Sequence, residues 1–189
     1  MEKIKPFAGS LEDLAVATMS HAERILVEKQ SLTTMVMGHK RIGEGYILPI
    51  RPERLSEDEA NLLETLGLSV FEHEGAKYFD PFGNEKSHAY IDLRIRGLSK
   101  SHSIDRLVYV TEAWSADIRG KDEEIRQIKP SKREDRVESI IVMAFEGGED
   151  DVVLTSEVLR GDDGRIIGLR ARPDIDNKSH DGLLQNMLD

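Results

Sequence analysis

The sequence predicts an α+β domain: an antiparallel β-meander sheet of about six strands, with two helices packed mainly on one face. Three observations carry this. Arg106–Ser115, Arg136–Glu146, Asp151–Arg160 and Arg165–Arg172 read as four successive strands joined mostly by turn-like loops. Ser10–Lys29 has its apolar residues at helical spacing. Ser56–Leu66 carries the start and stop signals of a second helix.

The elements follow in chain order. In Ser10–Lys29, Ser10 can cap and Asp13 sits three residues on, as a capping box requires. Leu11, Leu14, Ala15, Thr18, Ala22, Ile25 and Leu26 make one apolar face, while Glu12, Glu23 and Lys29 point away. Leu32–Met37 and Glu44–Ile50 read as strands with a turn between them over Gly38–Gly43, and Pro52 ends the second. In Ser56–Leu66, Ser56 and Glu59 repeat the capping-box pattern, acidic residues crowd the first turn and Gly67 suits the stop. Leu62, Leu63 and Leu66 are expected to pack down on the sheet. Leu68–Asn84 has short apolar pieces broken by Gly75 and by Asp80-Pro81-Phe82-Gly83, and reads as an irregular hairpin. His88–Arg96 alternates Ala89, Ile91, Leu93 and Ile95 with polar residues and reads as a strand. An insertion therefore runs over about 68–104.

Between the first two meander strands lies a charged loop, 118–135. Ile118–Arg136 holds seven basic and five acidic residues, and only Ile118, Ile125 and Ile128 could be buried. Loops of this length without structure of their own are uncommon unless functional or mobile. Gly147-Gly148-Glu149-Asp150 and Gly161-Asp162-Asp163-Gly164 are hairpin turns. A polar tail, 173–189, ends in Leu183-Leu184-Gln185-Asn186-Met187-Leu188, which suits a docked helical turn or a short motif for a partner. No internal repeat or low-complexity tract is present, and the whole chain, 1–189, reads as a single α+β domain.

Composition narrows the chemistry. The 189 residues contain no cysteine, which excludes zinc–thiolate sites, iron–sulfur clusters, disulfides and thiol catalysis. Lack of cysteine suits a reducing compartment. No stretch near Met1–Phe7 has the apolar length of a signal peptide, and the longest apolar run, Ile140–Phe145, is far short of a membrane span. A soluble cytoplasmic protein that binds no membrane is expected. The net charge is −10, and the pI is near 5.1. From Glu146 onward eleven acidic residues face five basic ones, a net of −6. Such a surface repels phosphate backbones and keeps a protein in solution, so no nucleic-acid partner is expected.

Glu112-Ala113-Trp114 at a strand end, followed by Pro130-Ser131-Lys132-Arg133-Glu134-Asp135-Arg136-Val137-Glu138 leading into the next strand, resembles a pattern in small prokaryotic proteins of unknown function. The resemblance covers about half the chain. It implies a helix and two strands ahead of another helix and a meander, and it implies no activity.

No phosphate-binding loop, dinucleotide fingerprint, His-Glu-x-x-His or nucleophile elbow occurs. Two groups of residues stand out instead. If the four meander strands pair in order, the Gly147–Asp150 turn lies beside the exit of the last strand and the entry of the first. That end would gather Glu146, Glu149, Asp150, Asp151, Asp174 and Asp176, with His102 and Asp105 nearby. Oxygen donors with a histidine suit a hard divalent ion, so Asp150, Asp151, Asp174, Asp176 and His102 are candidate metal ligands; hairpin tips also carry solvated acids for no such reason. No other cofactor is expected. Asp92 lies four residues from His88: neighbours on a helix, they would stand roughly 13 Å apart on the strand favoured here.

The second group is Glu112, Trp114 and Arg136. Glu112 shares a strand face with Val108, Val110 and Trp114, so it is expected to be half-buried and paired, with Arg136 the natural partner. A structural ion pair is the preferred reading of it over an acid or base, since ion pairs also shift pKa without catalysis. Trp114 is most simply a packing residue of core or rim.

These readings lead to a non-enzymatic protein-interaction or regulatory module, self-associating as a homo-oligomer or binding another protein, because an open meander leaves edge strands to be covered. A divalent-metal-dependent hydrolase using the acidic end, and a small-ligand binder with Glu112, Trp114 and Arg136 at a pocket mouth, are the alternatives.

Overall fold

The computed structural model describes residues 2–115, 132, 134–147 and 150–172. Most of the charged loop and all of the tail beyond 172 lie outside the described residues. The elements run β1 (Glu2–Ile4), α1 (Leu11–Lys29), β2 (Met35–His39), β3 (Gly45–Pro49), β4 (Glu53–Leu55), α2 (Glu57–Thr65), β5 (Val70–His73), β6 (Ala76–Phe79), α3 (Glu85–His102), β7 (Arg106–Ser115), β8 (Val137–Glu146), β9 (Val152–Arg160) and β10 (Ile166–Ala171).

An antiparallel sheet dominates. Its seven strands lie in the order β1-β3-β2-β7-β8-β9-β10. The predicted meander is its larger half, with β7 and β8 paired from Arg106↔Glu146 to Ser115↔Val137. Alternation along these strands gives two apolar faces. One carries Val108, Val110, Ile140, Val142, Ala144 and Val158, and α1 lies on it through Leu11, Leu14, Ala15, Ala22 and Leu26. Each buried leucine there stabilises the layer by roughly 1.5–3 kcal/mol. Ser10 and Asp13 form the predicted capping box at the start of α1.

The opposite face is covered by a helix where the sequence predicts a strand. Residues 85–102 form α3, whose Ile91 and Ile95 pack on Val36, Leu107, Tyr109, Met143 and Phe145. The alternation over Ala89–Ile95 is therefore not a strand pattern: Ile91 and Ile95, four apart, face the sheet, while Leu93 stands 68% exposed in solvent. The helices thus cover both faces rather than mainly one.

Nor does α2 reach the main sheet. The segment around it forms a small second sheet, order β4-β6-β5, and α2 packs there. Only Ala60 of α2 is buried, and Leu62 and Leu66 remain exposed, because the helix sits on a sheet too small to cover its full apolar stripe. The expected irregular hairpin is a regular one: β5 and β6 pair from Val70↔Phe79 to His73↔Ala76.

Close approach explains one glycine. A Cβ at Gly45 would collide with the Gly38 carbonyl oxygen and the Ile4 side chain, so β1, β3 and β2 can draw together only without it. Among the described residues no helix is long and apolar enough to cross a membrane.

Candidate functional site

The far end of the meander holds Trp114, Glu112 and Arg136. Trp114 is 45% exposed. The Arg136 guanidinium lies over its ring, 4.8 Å from the centroid, in cation–π geometry. Across the strand pair Trp114 stands opposite Glu138. Arg160 grips Glu138 with two bonds, Nε to Oε2 at 2.9 Å and Nη2 to Oε1 at 2.8 Å. Glu138 first, and Glu112 behind it, hold the Arg160 guanidinium more firmly protonated. One tryptophan is thus ringed by acids and arginines.

Glu112 is exposed, not half-buried. The face it shares with Val108 and Val110 is roofed by α1 only as far as the helix reaches. Glu112 lies past that end, where its Oε1 accepts the Leu32 amide as the chain leaves α1. The carboxylate therefore ties the exit of the helix to β7.

At the other end of the sheet the acids are engaged by arginines. Arg106, 1% exposed, donates from Nε to Glu146 Oε2 at 2.8 Å and from Nη1 to the Gly9 carbonyl at 2.7 Å. Arg41 holds the other Glu146 oxygen at 2.7 Å. Asp105 accepts the Arg41 amide. An open cleft of about 470 Å³ lies against Arg41, Ile104, Asp105, Glu146 and Gly147. His102 is turned onto the ring of Tyr46, with centroids 4.2 Å apart. Ala171 pairs with Ser156, so β10 ends about four residues, roughly 13 Å, short of the start of β9 and of the Gly147–Asp150 turn. Asp150 and Asp151 are exposed at that turn, and Asp174 and Asp176 lie outside the described residues. Among the described residues no three His, Asp or Glu side chains are grouped so as to hold a metal ion.

The sequence reading discounts one polar group, His88 with Asp92, and gives no sign of a second. The first follows from α3 being a helix. His88, Asp92 and Arg96 then lie one turn apart on one side of it. Burial raises the Asp92 carboxyl above the usual range, with the charges of Arg96 and His88 pulling it back. On β7, burial raises the Tyr109 phenol, a bond to Thr111 opposes this, and the Asp92 charge adds to it. Thr111 Oγ1 is in turn 2.8 Å from Thr34 Oγ1. Asn84, an N-cap residue followed by helix-forming residues, was the signal that could have revealed this group. The second is His39, on β2 beside Arg106 in the β2–β7 register. Nothing in the local sequence marks it, since its burial depends on strands distant in the chain.

No family of known proteins, no curated protein and no solved structure matches this chain.

Proposed function

We propose that the protein is a non-enzymatic interaction module that associates with a further copy of itself through the Trp114–Arg136 surface. The observation that carries this is the half-exposed Trp114 beneath a guanidinium at the end of long, rigidly paired strands. Tryptophan and arginine are the side chains most often responsible for binding energy at protein interfaces. The rim supports a contact between like surfaces. It carries both signs, Glu112 and Glu138 against Arg136 and Arg160, so a two-fold axis through Trp114 can set each acid of one copy against an arginine of the other.

Strand addition at β10 does not serve this purpose. The outer edge of β10 is closed by α1: Gln30 bonds both the amide and the carbonyl of Ile166, and Glu23 takes the Leu169 amide. With that edge engaged at Ile166 and Leu169, the contact is placed around Trp114 rather than along β10.

Sedimentation velocity from micromolar to submillimolar protein tests it. The wild type is expected to move toward dimer as concentration rises, while Trp114→Ala and Arg136→Ala stay monomeric with unchanged melting temperatures. A wild type that is monomeric throughout, or a Trp114→Ala variant that dimerises equally well, removes the proposal.

A further inference from the structure

His39 is 8% exposed, and neither ring nitrogen has a hydrogen-bond partner among the described residues. Buried polar atoms without partners are rare and carry a penalty. What surrounds this ring makes it more than a packing defect.

His39, Arg106 and Glu146 form a row across β2, β7 and β8, in successive register pairs. The N-terminal segment closes over that row. Phe7 packs edge-on against the His39 ring, centroids 6.4 Å apart. The Phe7 amide donates to the Lys40 carbonyl at 3.3 Å. Arg106 Nη1 donates to the carbonyls of Phe7 and Gly9. Residues 7–9 are thus seated on one buried cation and one neutral imidazole, while residues 2–4 are held separately by the β1–β3 pairing.

The described carboxylates nearby already have partners. Asp13 is committed to capping Ser10. Glu44 pairs with Lys3. Asp105 takes the Arg41 amide, and Glu146 is shared between Arg41 and Arg106. Lys5, Lys40 and Arg41 are cations and offer the ring no acceptor. Of all these charges, Arg106 is the one that bears on the ring.

We infer that His39 is an acid-operated latch: when it takes up a proton, the segment 7–9 is released from the end of the sheet. A protonated ring beside the Arg106 guanidinium, with the described carboxylates nearby already engaged, is relieved by swinging into water. In this proposal the ring leaves past Phe7, which packs edge-on against it. Relief therefore requires Phe7, and with it the segment whose carbonyls Arg106 holds, to lift away. Burial first, and Arg106 second, lower the ring's pKa to about 4, so the latch is closed at neutral pH and opens in acid.

Amide hydrogen exchange at pH 7 and pH 4.5, expressed as protection relative to the unstructured chain, tests the latch. In the wild type the Phe7 amide is expected to lose at least about tenfold protection in acid, and at both pH values to exchange at a lower opening free energy than the Val108 and Val142 amides, as local opening requires. His39→Leu should hold Phe7 protection at both pH values, and His39→Gln serves the same purpose should the leucine variant fold poorly. Equal loss in the variants, a Phe7 opening free energy equal to that of Val108 and Val142, or no loss in the wild type would each overturn the inference.

Discussion

At the scale of single residues, charge burial concentrates at Arg106. Taking a guanidinium out of water costs several kcal/mol, which the Glu146 pair and the Gly9 and Phe7 carbonyls must offset. Breaking such a pair from one side is therefore worse than removing both partners. Arg106→Ala is expected to lower unfolding free energy by about 3–5 kcal/mol, and Arg106→Met with Glu146→Leu by much less. Urea denaturation measures both; a single-variant loss under about 1 kcal/mol would show that the pair contributes little. The neighbouring His39 gives a pH dependence of definite sign. Its pKa falls from 6.5 in the unfolded chain to about 4 in the folded one. The unfolded state thus binds the proton more tightly, and stability present above pH 6.5 is lost as pH falls toward 4, with no further loss from this group below that. The full effect is at most about 3 kcal/mol, less wherever local opening already frees the ring. His39→Leu should flatten the denaturation midpoint between pH 6.5 and 4; an unchanged slope would place the dependence elsewhere.

At the scale of elements, Gln30 does two tasks. As the C-cap of α1 it takes a left-handed conformation, φ 61°, which an L-residue other than glycine adopts at a cost. The side chain thereby reaches Ile166, and with Glu23 it closes the outer edge of β10. Unpaired strand edges invite other strands. Glu23→Ala with Gln30→Ala is expected to produce association that grows with concentration and does not depend on Trp114; light scattering on that variant, with and without Trp114→Ala, distinguishes it from the contact proposed above. A monodisperse variant would show that the edge is protected by other means. The edge strand itself was legible in the sequence, as were the meander, α1 and both capping boxes, because their patterns are local. The clasp that closes β10 was not, since it joins residues 136 apart in the chain. Helix α3 misled for a different reason. Its sheet-facing row, Ser87, Ile91, Ile95 and Ser99, is half serine, so the apolar stripe is interrupted and a chance alternation through Ala89 and Leu93 outweighed it. The stronger signal was Asn84, whose side chain accepts the Ser87 amide. Asn84→Ala should destabilise by about 1 kcal/mol in thermal or urea unfolding, as loss of an N-cap does. Of the candidate site, Glu112, Trp114 and Arg136 were legible as a group, but Glu112's exposure depends on where α1 ends above β7.

At the scale of the whole molecule, the two sheets are unequally supported. Strands β7 and β8 are paired on both sides and covered on both faces, by α1 and by α3. The small sheet has strands of three or four residues, and most of β4 and β5 is exposed. Its core is little more than Phe79, 1% exposed, with Ala60. Phe79 meets Tyr90 of α3 edge-on at 5.4 Å, and Arg94 of α3 pairs with Glu53 of β4 at 2.9 Å. Ser69 N also donates to Ser87 Oγ at 2.9 Å and Asn84 Nδ2 to the Gly67 carbonyl at 3.2 Å, and Lys77 pairs with Glu57 and Glu64; surface pairs of this kind contribute roughly 0–1 kcal/mol each. Elements with few buried apolar contacts open below the global unfolding free energy. Native-state hydrogen exchange should therefore find the amides of β5 and β6 exchanging through a partial opening at low denaturant, with those of β7 and β8 exchanging only through global unfolding. Phe79→Ala should bring the first opening within reach at no denaturant while leaving β7 and β8 protection nearly unchanged. If β5, β6, β7 and β8 instead exchange with a single free energy, the Tyr90 and Arg94 contacts suffice to make both sheets one cooperative unit, and the small sheet is held through α3 rather than by its own core.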